Sequence, residues 1–143
     1  MSAIRSLVPA GIASIMLALT GCGSGGMDNT GTRPPVQGLQ PTLTSIQDGV
    51  FTPICVGCHS GAQAPQGLDL SAGQAASHLI NVPAPRDNTQ IRVIPGNPGG
   101  SLLIQKLEGT SNLGQRMPLG QAPLDPSTIA VIRQWITAGA PTQ

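Results

Sequence analysis

The chain has 143 residues, with seven Lys or Arg against six Asp or Glu, and so almost no net charge. That balance excludes the basic electrostatic footprint of a nucleic-acid-binding protein. With 19 Gly and 14 Pro, the chain is too heavily punctuated for long strands, and no stretch alternates apolar and polar residues for long.

Met1 to Gly21 reads as an export signal, with one charge at Arg5 and an apolar stretch from Leu7 to Leu19. The stretch is short for a membrane span, and small residues close it. It ends in Leu19-Thr20-Gly21-Cys22, which resembles the bacterial lipobox. The resemblance implies that Cys22 is lipidated, becomes the mature N-terminus and anchors the protein to the periplasm-facing cell envelope. An ordinary secretory signal cleaved nearby is the alternative. Gly23 to Pro41 offers little to bury and reads as a flexible tether. The expected organisation is thus a signal over 1–21, a tether over 22–41 and one domain over 42–143.

The expected fold is all-α, with four short helices separated by long Gly/Pro-rich loops. The first spans about Leu43 to Ile54, with Ile46, Val50, Phe51 and Ile54 on one face. Gly49 weakens its middle, and Pro53 makes its last turn irregular. The second begins at Ser71, with Gln74 three residues on in a capping-box pattern, and buries Ala75, Ala76 and Leu79. Ser101 caps the third, which packs Leu102, Leu103 and Leu107 before Gly109 stops it. The fourth is framed by Asp125 as cap, Pro126 at the first helical position and Gly139 past the end. Its stripe is Ile129, Ile132 and Ile136, with Trp135 beside them.

Between the first and second helices lies Cys55-Val56-Gly57-Cys58-His59. A CxxCH run is the attachment pattern for c-type haem: both thiols add to the vinyl groups of one porphyrin, and the imidazole becomes the proximal iron ligand. Three plainer readings compete. A redox dithiol would open a helix inside a βαβ unit, and no strands are legible around it. A zinc site needs four ligands, and the supply is Cys55, Cys58, His59 and His78. A disulfide across two residues closes a loop too small to stabilise much. Phe51 and Trp135 are the only Phe, Tyr or Trp side chains, and a buried porphyrin would supply the apolar area they leave missing.

The second axial ligand decides function. Met1 and Met16 leave with the signal and Met27 sits in the tether, which leaves Met117 in a Gly/Pro-rich loop between the third and fourth helices. A thioether there raises the reduction potential and closes the iron to small ligands. A core gap-filler is the plain reading of this methionine. His78 is the rival ligand, and its plain reading is a partly exposed surface histidine.

Taken together, the attachment motif, Met117-Pro118 and a C-terminal helix carrying Trp135 resemble the class I c-type cytochrome family over about residues 43 to 140. Pro95-Gly96-Asn97-Pro98 and the segment from Trp135 to Ala140 look like a subgroup of small bacterial cytochrome domains. The resemblance implies a small fold wrapped around one haem c, with Cys55 and Cys58 as attachment sites and His59 and Met117 as axial ligands. It also implies that Phe51 meets Ile132 and Trp135 where the first and last helices cross. The chain departs from the family in having no tyrosine to bond the haem propionates; Arg92, Arg116 and Trp135 are the expected substitutes. The function expected is single-electron transfer between redox partner proteins by a membrane-tethered carrier that is not an enzyme. A haem-based sensor or peroxidase-like enzyme with a displaceable sixth ligand is the alternative, and a structural lipoprotein with a coincidental CxxCH is a third.

Overall fold

The computed structural model describes residues 31–143. Cys22, Met27 and the signal-to-tether boundary lie outside the described residues. In chain order the elements are α1 (Leu43–Ile46), a π-helical segment (Gln47–Cys55), a 3-10 turn (Pro65–Gly67), α2 (Ala75–Leu79), β1 (Pro83–Ala84), β2 (Asp87–Ile91), α3 (Leu102–Glu108) and α4 (Pro126–Thr137). Among the described residues the regular structure is mostly helical, and it includes a two-stranded antiparallel sheet that the all-α expectation lacks. Among the described residues no helix is long and apolar enough to cross a membrane.

The first helix forms where expected but changes type. Thr42 caps it, its Oγ1 accepting from Ser45 N at 3.2 Å. After one α turn it widens into the π segment that contains Pro53. Proline has no N–H, and its ring collides with the carbonyl four residues back, so an α-helix cannot run through it unchanged. The wider winding closes with Val56 N donating to Phe51 O at 2.9 Å, five residues back.

The second helix is shorter than its capping box promised. It begins at Ala75, and no side chain caps it. Gly73 has φ +80°, a left-handed conformation that no right-handed helix contains, so residues 71–74 form a turn instead. The Ser71 amide donates to Asp69 Oδ1 at 2.9 Å. Ser101 precedes α3 as expected, but its hydroxyl does not cap the helix. It receives the Ile94 amide at 2.9 Å and donates to Asn97 O at 2.8 Å, tying the preceding loop shut. Gly109 ends α3 at φ +77°. α4 matches its sequence signals: Asp125 Oδ1 accepts from Ser127 N at 2.8 Å, with Pro126 at the first position.

One apolar cluster joins these elements. It contains Ile46, Val50 and Phe51 from the first helix, Leu79, Ile104 and Leu107 from α2 and α3, and Ile129, Ile132, Trp135 and Ile136 from α4. Phe51 therefore shares a core with Ile132 and Trp135, and both aromatic side chains are buried. Leu124 and Ala140 close the ends of the α4 side. Arg133 Nε and a terminal nitrogen each donate to a Glu108 carboxylate oxygen at 2.9 Å, crossing from α4 to α3.

The described part of the stretch read as a tether is not free. Arg33 N donates to Pro123 O at 2.7 Å, and Val36 N donates to Thr128 Oγ1 on α4 at 3.1 Å. Val36 and Leu39 pack against the core cluster, above Gly49. A Cβ at Gly49 would stand 2.9 Å from Val36 Cγ1 and 3.0 Å from Leu39 Cδ1. The glycine that looked like a helix weakness is what lets this strap lie down. Low apolar content misled because two side chains and a few backbone bonds suffice to dock a short segment.

Candidate functional site: the CxxCH segment and the Met117 loop

The π segment delivers Cys55 as its last residue. Beyond it the chain turns sharply, with Cys58 N and His59 N both donating to Cys55 O, at 3.1 and 2.9 Å. His59 O then receives Leu70 N at 2.9 Å, and the buried Gln47 side chain donates to Leu70 O at 2.8 Å. The motif is thus pinned at both ends to the first helix.

Cys55 and Cys58 are free thiols in different surroundings: Cys55 is half-buried, Cys58 exposed. The Cys55 thiol donates a weak bond to Val50 O at 3.7 Å. Its pKa is pushed up to about 11, mainly by burial, while the Arg33 charge acts to lower it and Cys58 to raise it. A working redox dithiol needs the opposite, a depressed thiol at a helix N-terminus. Here the motif closes a helical segment.

His59 is half-buried, and its Nδ1 is fully buried with no hydrogen-bond partner. Burial lowers the imidazole pKa below the usual histidine range; the Leu68 backbone opposes that, and the Arg92 charge adds to it. The ring is therefore neutral at pH 7, the form that ligates metals.

The loop that follows is braced by Arg92, which is 7% exposed. Its guanidinium donates to Gln66 O at 2.5 Å, Gly67 O at 3.3 Å and His78 O at 2.7 Å. Gln66 holds φ +60°, a left-handed conformation that side chains rarely adopt, and its carbonyl is the one Arg92 grips most closely. His78 Nδ1 lies 3.0 Å from Gly67 O. His78, nominated as the rival iron ligand, is a half-buried member of this brace.

Met117 sits across from α3. Its amide donates to Lys106 O at 2.8 Å, while Lys106 Nζ donates to Leu113 O at 3.2 Å and also to Gln115 O. One residue of α3 thus holds both ends of the stretch leading into Met117. The Met117 side chain is half-buried against the core cluster, as are Cys55, Ile54, Val56, Leu68, Ile80 and Leu103. The fold accordingly brings Cys55 and Met117 to the rim of one apolar core.

The propionate substitutes fare unevenly. Trp135 is fully buried and its Nε1 already donates to Pro141 O at 2.9 Å, so its one donor is committed. Arg92 has both terminal nitrogens engaged by carbonyls. Arg116 is exposed and lies over Gly109. Sequence reasoning missed Arg33 and Lys106, whose acceptors, Gln121 Oε1 for the first and Leu113 O and Gln115 O for the second, lie in irregular loops that carry no local signal.

Among the described residues no group of three or more His, Cys, Asp or Glu side chains is placed to hold a metal ion, so the four nominated zinc ligands do not converge. A surface depression of about 550 Å³, lined by Thr89, Gln90, Ile94, Gln105, Thr110 and Asn112 among others, shares no residue with the motif or with Met117. Its lining has no titratable side chain and supplies no acid, base or nucleophile. No protein-family model matches the chain, and neither a curated protein nor a solved structure matches it.

Proposed function

We propose that the protein is a mono-haem c-type cytochrome, a lipid-tethered carrier of single electrons at the periplasmic face of a bacterial membrane. One observation carries the reading. Two free thiols at CxxCH spacing stand beside a half-buried histidine whose Nδ1 has no partner, on the rim of the apolar core that Met117 also borders. The donor set fits a covalently held haem: two thiols, a neutral imidazole, a thioether and an apolar rim. It fits zinc or a redox dithiol poorly, for the reasons of convergence and thiol pKa given above.

In this reading Cys55 and Cys58 would hold the haem, and His59 and Met117 would ligate its iron. Bound in this way, haem supplies a one-electron couple whose potential the thioether raises. The chain's residues do the rest. The turn at Cys55 O holds the His59 backbone, and the Arg92 brace fixes the Gln66-Gly67 turn that follows it. Lys106 presents Met117. Ile54, Val56, Leu68, Ile80 and Leu103 exclude water, which favours the less charged reduced form. With His59 and Met117 both committed to the iron, the chain would leave a substrate no place on it. The family fold, a small helical domain wrapped around haem, follows from the same reading, with the β1–β2 hairpin as an addition.

Lipid on Cys22 would confine the domain near membrane-bound redox partners and raise their effective concentration. The described part of that tether, from Arg33 onward, is docked on the domain. The test is covalent attachment: the purified mature protein should keep its visible absorbance through acid–acetone extraction, and Cys55→Ser with Cys58→Ser should abolish it. Haem that extracts freely from the wild type would overturn the thioether reading.

A further inference from the structure

We propose that the strap from Arg33 to Leu39 is a clasp holding the Met117 loop against the attachment motif, with Arg33 the positioning residue at its start. The proposal rests on the haem reading and adds to it a residue from a stretch that looked like spacer.

The contacts run in one direction along the strap. Arg33 makes two bonds to the segment between Met117 and α4: its amide to Pro123 O at 2.7 Å and its guanidinium to Gln121 Oε1 at 2.7 Å. Three residues on, Val36 N donates to Thr128 Oγ1 at 3.1 Å. Val36 and Leu39 then lie over Gly49 in the π segment that ends at Cys55. The strap therefore spans from the exit of the Met117 loop, across the start of α4, to the helical segment that delivers the first attachment cysteine.

Arg33 has more to offer than these bonds use. Its Nε is fully buried with no hydrogen-bond partner, an arrangement that costs free energy and that surface spacers have no reason to adopt.

The experiment uses the full mature chain as purified, first assayed for covalent haem, with Arg33→Gln and Gln121→Ala, and reads hydrogen exchange of peptides covering 115–124, which needs no haem. Both variants should speed loop exchange about threefold or more and leave exchange of α3 peptides at the wild-type rate. Wild-type exchange of 115–124 in both variants would overturn the clasp, as would equal acceleration throughout the chain. A wild type without haem would sink the cytochrome reading, while exchange still decides the clasp.

Discussion

Along α4 the polar groups are matched within the chain: Asp125 caps the first turn, Thr128 receives the Val36 amide, Arg133 forks onto Glu108 and Trp135 Nε1 donates to Pro141 O. Around the attachment motif the matching fails. Two thiols are free, and Arg33 Nε and His59 Nδ1 are buried without partners. Well-folded domains leave few such groups, and those they leave cluster where something other than the fold uses them. The α4 side is thus built for stability. The motif side holds polar groups that the fold itself does not use.

Three perturbations would break or sharpen this contrast. Trp135→Ala should cost most, about 3–5 kcal/mol, because it empties a large volume from the α4 side and strands the Pro141 carbonyl; denaturant unfolding checks it. A loss below about 1 kcal/mol would mean that the α4 side is not the stabilising half.

The second concerns the motif in chain made without haem. Burial raises the folded Cys55 pKa from 9.0 to about 11. The unfolded thiol therefore ionises first, and folded stability should fall as pH rises from about 9 to 11, by roughly 2–3 kcal/mol at the upper end. At neutral pH the exposed Cys58 should be alkylated well before Cys55. Equal alkylation rates would show that Cys55 does not lie against the core.

The smallest effect is expected at Gly49→Ala. The added methyl would push on Val36 and Leu39, and repacking the strap should cost about 1 kcal/mol. A substitution that stabilises instead, as helix propensity alone would have it, would mean that the strap does not bear on the first helix.

What the sequence made legible follows from range. Asp125, Pro126 and the 3.6-residue apolar spacing are local signals, and α4 forms where they point. Gly109 ends α3 for the same reason. Cys55 to His59 is legible because it is a contiguous run of distinctive residue types at fixed spacing. The hairpin was missed because β2 reads Asp87-Asn88-Thr89-Gln90-Ile91, largely polar and without alternation, paired to only two residues of β1. The strap and the Arg92 brace were missed because their acceptors are backbone carbonyls or side chains far along the chain. Ser101 shows the limit from the other direction: a residue suited to capping bonds the loop before it instead.

The central claim, that the site is an electron carrier closed to small ligands, is tested most directly at Met117. Carbon monoxide binding to the reduced, haem-loaded protein should be negligible in the wild type and ready in Met117→Ala, with loss of the sulfur-to-iron charge-transfer band in the oxidised variant and no change in either property for His78→Ala. Ready carbon monoxide binding by the wild type, unchanged in Met117→Ala, would contradict the account and favour a sensor or a peroxidase-like enzyme.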